Sequence, residues 1–209
     1  MGNGYKGEKL NGKPHGQGIL KEKGKTCIGE FKNGFFVRGR KSYKDGSVYD
    51  GKFEGVFGFE GRVIIGEIIF EGKMVSLFTM KGSARIGNVH YENIYLYNEN
   101  CLYGDDVKIT TPDFEIHECL IEQNYIKSGI WKDKNGDIFM GSFRKNNLIS
   151  MGRSIFNDGI LISEGKVYCG KFKCGKLSDG EILDEKKDSV YVFSNDKVKI
   201  LNNLDLSFN

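Results

Sequence analysis

The sequence predicts an all-β protein: a long, twisted antiparallel sheet of about eight β-hairpins, apolar on one face. Three observations predict it. The 209 residues hold 29 glycines and two prolines, with 12% aromatics and no collagen period, a composition of many turns in an ordered chain. Two landmarks recur in step along the chain, as in a repeat array. Within each unit, apolar and polar side chains alternate with the period-two pattern of a half-buried strand.

The first landmark opens each repeat: Tyr5, Cys27, Tyr49, Phe70, Tyr91, Ile116, Phe139 and Tyr168. The second is a glycine 12 or 13 residues later: Gly18, Gly39, Gly61, Gly82, Gly104, Gly129, Gly152 and Gly180. The first and fifth positions of a repeat are mostly large and apolar, and the fourth is mostly polar, as Glu8, Glu30, Lys52 and Lys171 are. Residues two apart share a face of a strand. The third position is usually glycine (Gly7, Gly29, Gly51, Gly72, Gly141, Gly170) and lies between two large side chains on the inward face. Asn-Gly at 11–12, 33–34 and 135–136 and Asp-Gly at 45–46, 158–159 and 179–180 are expected to be the hairpin turns, since such pairs accept positive φ.

These residues carry a resemblance. "YKGEKLNGKPHGQGILKEKGK" is similar to a MORN repeat (membrane occupation and recognition nexus) at Tyr5, Gly7, Gly12, Gly16, Gly18 and Gly24. Residues 1–209 then read as one MORN-repeat array. The repeats are regular over 5–88 and 129–182 and degenerate over 89–128, where Asn93 and Glu118 replace the third-position glycine. A C-terminal capping hairpin and tail occupy 183–209, with strands at Ser189–Phe193 and Lys197–Leu201 around Asn195-Asp196. The resemblance implies an elongated single-sheet β-solenoid with a curved groove. It also implies a non-enzymatic scaffold that binds protein segments, self-associates, or attaches to membranes or the cell cortex.

The repeat absorbs the motifs that mimic chemistry. "GNGYKG" at 2–7 matches a dinucleotide loop in letters, but that loop needs a preceding strand and a following helix. Met1-Gly2 lacks the Ser or Thr at position 6 of a myristoylation start, Lys6 standing there. "HEC" at 117–119 lacks the second cysteine pair of a deaminase, and period-two alternation places His117 and Cys119 on one face. "DKNGD" at 133–137 has its glycine too early for a calcium loop and reads as a turn. Cys169 and Cys174 lack a second ligand pair at zinc spacing. No catalytic, cofactor or metal residue is expected, and nucleic acid is not an expected partner, because the aromatics fall at inward repeat positions. Five irregularly spaced cysteines fit a reducing, cytoplasmic setting, and no stretch is apolar enough for a membrane helix.

Candidate binding residues come from the regular repeats. Arg38 and Arg40 replace glycines of the first repeat. With a one-residue slip, Arg40, Arg62 and Arg153 each follow a landmark glycine. Arg40 and Arg62 then share a row on adjacent hairpins, able to hold phosphates or carboxylates or to stand as a solvated row paired with Glu and Asp on the next turn. Residues 1–50 hold eleven Lys and Arg against five acids. That balance suits either an anionic membrane, phosphoinositide included, or an acidic partner. Phe31 and Phe53 mark an aromatic groove for a protein partner. A homodimer through the sheet end is the further expectation.

Overall fold

Each repeat folds as two antiparallel strands because its alternating half suits a pleated surface with one dry face. The computed structural model describes residues 4–55, 58–98, 101–145, 153–184, 189–194 and 197–202. The strands form two compact units, 1–101 and 102–209, and the boundary falls inside the degenerate span. The first unit contains β1 (Gly4–Leu10), β2 (Lys13–Glu22), β3 (Lys25–Lys32), β4 (Phe35–Tyr43), β5 (Val48–Glu54), β6 (Gly58–Ile65), β7 (Ile68–Ser76), β8 (Thr79–Ile86) and β9 (Val89–Tyr97). The second contains β10 (Cys101–Thr110), β11 (Phe114–Glu122), β12 (Tyr125–Asp133), β13 (Ile138–Phe143), β14 (Phe156–Ser163), β15 (Lys166–Lys173), β16 (Lys176–Asp184), β17 (Ser189–Ser194) and β18 (Lys197–Asn202). One 3-10 turn, Arg153–Ile155, precedes β14. Within each unit every strand pairs antiparallel with the next. The sheet is open, not closed into a barrel.

The eight repeat starts fall on the odd strands β1 to β15, and the capping hairpin is β17–β18. Asn195-Asp196 and the tail from 203 lie outside the described residues, as do Met1 and Gly2. Seven of the landmark glycines fall on the even strands. Gly152 lies outside the described residues, and the glycine that faces Gly141 is Gly159. The longest repeat step therefore reflects residues added between β13 and β14.

Glycine faces glycine along the sheet. In the first unit the row runs Gly7–Gly18–Gly29–Gly39–Gly51–Gly61–Gly72–Gly82. In the second it runs Gly129–Gly141–Gly159–Gly170–Gly180. The reason is close approach of backbone. A Cβ on Gly51 would land on the carbonyl oxygen of Glu60 and within 2.8 Å of Gly61 Cα. At Gly51 the neighbour is the facing strand; at Gly18 it is the Tyr5 ring.

Two expected turns are instead strand: Asp158-Gly159 lies in β14 and Asp179-Gly180 in β16. Their glycines belong to the facing row. The tight turns there are Glu164-Gly165 and Cys174-Gly175, positive in φ at both residues like Asn11-Gly12 and Asn33-Gly34. Gln123-Asn124 does the same without glycine. Asp45-Gly46 and Asn135-Gly136 sit in longer loops, closed by Tyr43 N–H to Ser47 O at 2.9 Å and Asp133 N–H to Asp137 O at 3.1 Å.

The degenerate repeats solve the missing glycine with a β-bulge. Asn93 and Glu118 both take positive φ, 57° and 48°. The pairing slips there: Gly82 faces Ile94 while Ala84 faces Tyr91, and Val107 faces Cys119 while Ile109 faces Ile116. The extra residue inverts the alternation beyond it. Ile94 and Cys119, at the fourth position that is wet elsewhere, are consequently fully buried. His117 and Cys119 therefore lie on opposite faces. His117 Nε2 contacts Glu115 Oε2 at 3.0 Å, while burial pushes the Cys119 thiol up to about 12.

The core of the second unit is an aromatic cluster. Phe139 packs against Phe156, Phe143 and Phe172, and Phe156 also meets Trp131 edge-on at 5.1 Å. Arg153 does not join the arginine row. It leaves the 3-10 turn to bond Asp137, lies 3.6 Å from Asp133, and sits 6.0 Å above the Trp131 ring. The "DKNGD" segment is thus a turn tied by an arginine.

Candidate functional site

The two faces of the first unit are built from different repeat positions. On one face, the first and fifth positions and the residue two after each landmark glycine gather apolar side chains. Tyr5, Phe31, Phe36, Phe53 and Phe59 form a chain of ring contacts with centroids 4.9–5.1 Å apart. Tyr43 and Tyr49 join it at Phe59. Such contacts add about 0.5–1.5 kcal/mol each beyond area burial. Phe31 is 1% exposed and Phe53 9%; Phe53 lines the two depressions of this face, whereas Phe31 lies in the ring chain and lines neither. Phe35 and Phe78, 71% and 57% exposed, stand at the rim.

Two depressions open on this face. One, of about 490 Å³, is lined by Tyr43, Tyr49, Phe53, Phe59, Val63, Leu77 and Phe78 among others. The other, of about 580 Å³, is lined by Leu20, Cys27, Phe35, Phe36, Val37 and Phe53. Lys41 lines both. It faces Cys27 on β3 and Tyr49 on β5. Its Nζ lies 3.8 Å from the Phe53 ring centroid and 5.4 Å from that of Phe36. Burial holds the Lys41 ammonium below its ordinary pKa, and the same cause raises the Cys27 thiol.

The other face carries the predicted arginines. Arg40, Asp50, Arg62 and Glu71 occupy one cross-strand row from β4 to β7. Arg40 donates through Nε and Nη2 to Asp50 Oδ2 at 3.2 and 3.0 Å, and Arg62 Nε lies 4.0 Å from Glu71. The neighbouring row runs Glu30, Arg38, Lys52, Glu60, Lys73 and Lys81. Arg38 makes no ion pair among the described residues. A small recess of about 280 Å³ beside Arg62 adds Ser83, Arg85 and His90. The fold thus gathers Arg38, Arg40 and Arg62 on one face and Phe31 and Phe53 on the other, and does not bring the two sets together.

Sequence reasoning passed over Lys41, although a signal was present. Two residues after the landmark glycine stand Leu20, Val63, Ala84, Trp131 and Ile182 in other repeats, with Leu161 after Gly159; the polar exceptions are Asp106, after Gly104 in the degenerate span, and Ser154, after Gly152. Lysine at an apolar-face position is the departure. Among the described residues, no group of three His, Cys, Asp or Glu could hold a metal ion, and no helix is long and apolar enough to cross a membrane.

Fold and face together define a repeat-built, open antiparallel β-sheet protein with an aromatic face. No family model matches the chain, and no curated protein matches it.

Proposed function

We propose that the chain is a non-enzymatic MORN-type repeat scaffold that holds a segment of a partner protein on the apolar face of its first repeats. The observation that carries this reading is the aromatic floor opening into two depressions, with Phe35 and Phe78 standing exposed beside them. Contiguous exposed apolar surface of this kind marks interaction sites. The reading is tested by selecting binders from a random twelve-residue peptide display library and measuring them on a Phe35→Asp/Phe78→Asp variant. Loss of binding supports the groove. Undiminished binding, or no selected peptide, overturns it.

A second reading docks the opposite face on anionic lipid, phosphoinositide included, through Arg38, Arg40 and Arg62. Arg38 favours it, being exposed beside Lys52 with no ion pair among the described residues. The carboxylates facing Arg40 and Arg62 weigh against it, because each neutralises a charge the lipid would need. Vesicle co-sedimentation separates the two readings. Binding to phosphoinositide vesicles at physiological salt that an Arg40→Glu/Arg62→Glu variant loses would favour the lipid reading. Under the groove reading, both proteins stay in the supernatant. Self-association through the sheet end and a place near the cell cortex belong to the same proposal, by the resemblance alone.

A further inference from the structure

We propose that the groove of the first unit selects a peptide segment carrying a carboxylate between apolar side chains, with Lys41 as the counter-ion of that carboxylate. The inference rests on the groove reading and gives its occupant a chemistry.

Lys41 sits where the regular repeats beside it place apolar side chains: Val63 and Ala84, at the corresponding positions, are buried, as is Trp131 in the second unit. A lysine on a dry face usually runs its stem along the surface and puts its ammonium in water. Here the ammonium lies over the Phe53 ring instead. Ring faces attract a cation, but they supply neither a full countercharge nor a hydrogen-bond acceptor of carboxylate strength. Among the described residues no carboxylate pairs with Lys41. Glu22, two strands away on β2, acts on Lys41 only through space and is engaged by Lys25 at 2.8 Å. Burial already lowers the Lys41 pKa, the mark of a partly desolvated charge. An incoming anion meets this charge in a medium less screening than water, where attraction is stronger and the bond is charge-assisted.

The layout fixes the rest of the occupant. The depressions share Lys41 and Phe53 and extend in opposite directions across the sheet, one towards β2 and β3, the other towards β6 to β9. A ligand held at Lys41 therefore has apolar space on both sides. An extended peptide places residues i−2, i and i+2 on one face, roughly 6.6 Å apart. An acid at i with large apolar residues at i−2 and i+2 matches depression, cation, depression. A fatty acid has one carboxylate at its end and would fill one side only.

The test reads the sequences chosen in the peptide selection. The library is panned in parallel on wild type, Lys41→Met, Lys41→Arg and Lys41→Glu, each checked by circular dichroism. Expected are peptides with Asp or Glu flanked by large apolar residues for wild type and Lys41→Arg. Lys41→Met is expected to keep the apolar preference and drop the acid, and Lys41→Glu to favour Lys or Arg. Changing the acid of a selected peptide to its amide should weaken binding at least tenfold on wild type and leave Lys41→Met unaffected. Apolar peptides without an acid, equally tight on wild type and Lys41→Met, would overturn the counter-ion and leave the groove reading standing. Peptides that bind the Phe35→Asp/Phe78→Asp variant undiminished would overturn both.

Discussion

Phe139 and Phe156 lie face to face across β13 and β14, centroids 4.0 Å apart and planes within 4°. Both are fully buried, and Phe172 meets each of them edge-on. The residues added between Phe143 and Phe156 thus end on the ring that closes the core of the second unit. Phe156→Ala is expected to cost about 3–5 kcal/mol through lost burial and the cavity left behind. The urea midpoint of the full chain checks it.

The facing glycines make a sharp steric prediction. Gly51 has extended backbone, so alanine there meets no φ penalty, only the facing backbone of Glu60 and Gly61. Gly51→Ala should destabilise by about 1–3 kcal/mol as an overpacked site. Gly4→Ala, where nothing lies within 4 Å, should stay within about 0.5 kcal/mol of wild type. Equal effects at the two positions would contradict the close-approach account.

Glu118 holds a left-handed conformation, which disfavours a residue with a Cβ by about 1–2 kcal/mol. Glu118→Gly should therefore raise stability, by about 1 kcal/mol after the larger entropy loss of glycine. Glu118→Val, branched at Cβ, should lower it. Thermal melts of both variants provide the check.

The thiols divide by burial. Cys169 and Cys174 are exposed, whereas Cys27 and Cys119 are buried. A thiol-reactive dye at pH 8 should label Cys169 and Cys174 quickly, and Cys27 and Cys119 only on unfolding. The raised Cys119 pKa has a pH consequence. Its ordinary value is 9.0 and its folded value about 12. Between these the unfolded chain releases the proton and the folded chain keeps it. The contribution is whole below pH 9 and declines as pH rises towards 12, by at most about 1.4 kcal/mol per pH unit. Lys41, lowered on folding, acts with the opposite sign. Cys119→Ala should be less stable at neutral pH and show a shallower alkaline decline in urea midpoint.

Much of this architecture was legible in the sequence because the repeat writes each residue's role several times. The starts from Tyr5 to Tyr168 mark the odd strands, and the alternation of Phe31 with Glu30 marks the two faces. The lengthened repeat step of 89–128 predicts a bulge or longer turn in that span, but not where it falls. Period-two counting continues through Asn93 and Glu118, and only the left-handed backbone there reveals that Ile94 and Cys119 change face. Asp158-Gly159 and Asp179-Gly180 mislead because a dipeptide cannot say whether its glycine is needed for a turn or for a facing backbone. The site was half legible. Repeat position marks Phe31 and Phe53 as inward-facing, and the sequence leaves Arg40 and Arg62 either an anionic ligand or nearby acids as partners; the register supplies the acids, Asp50 and Glu71. Lys41 stands out only against the apolar residues two beyond the landmark glycine in the neighbouring repeats, Leu20 and Val63.

The glycine row has a consequence for how such a chain can change. Register is locked in the middle of each strand, where backbone meets backbone: Gly141 still faces Gly159 even though extra residues separate Phe143 from Phe156. Length can therefore vary at the hairpin tips while the glycine pairing is kept: here the register shifts only past Ser142, where Phe143 faces Phe156. The tips are places where a lineage, or an engineer, can insert an epitope, and the faces between them keep their alignment.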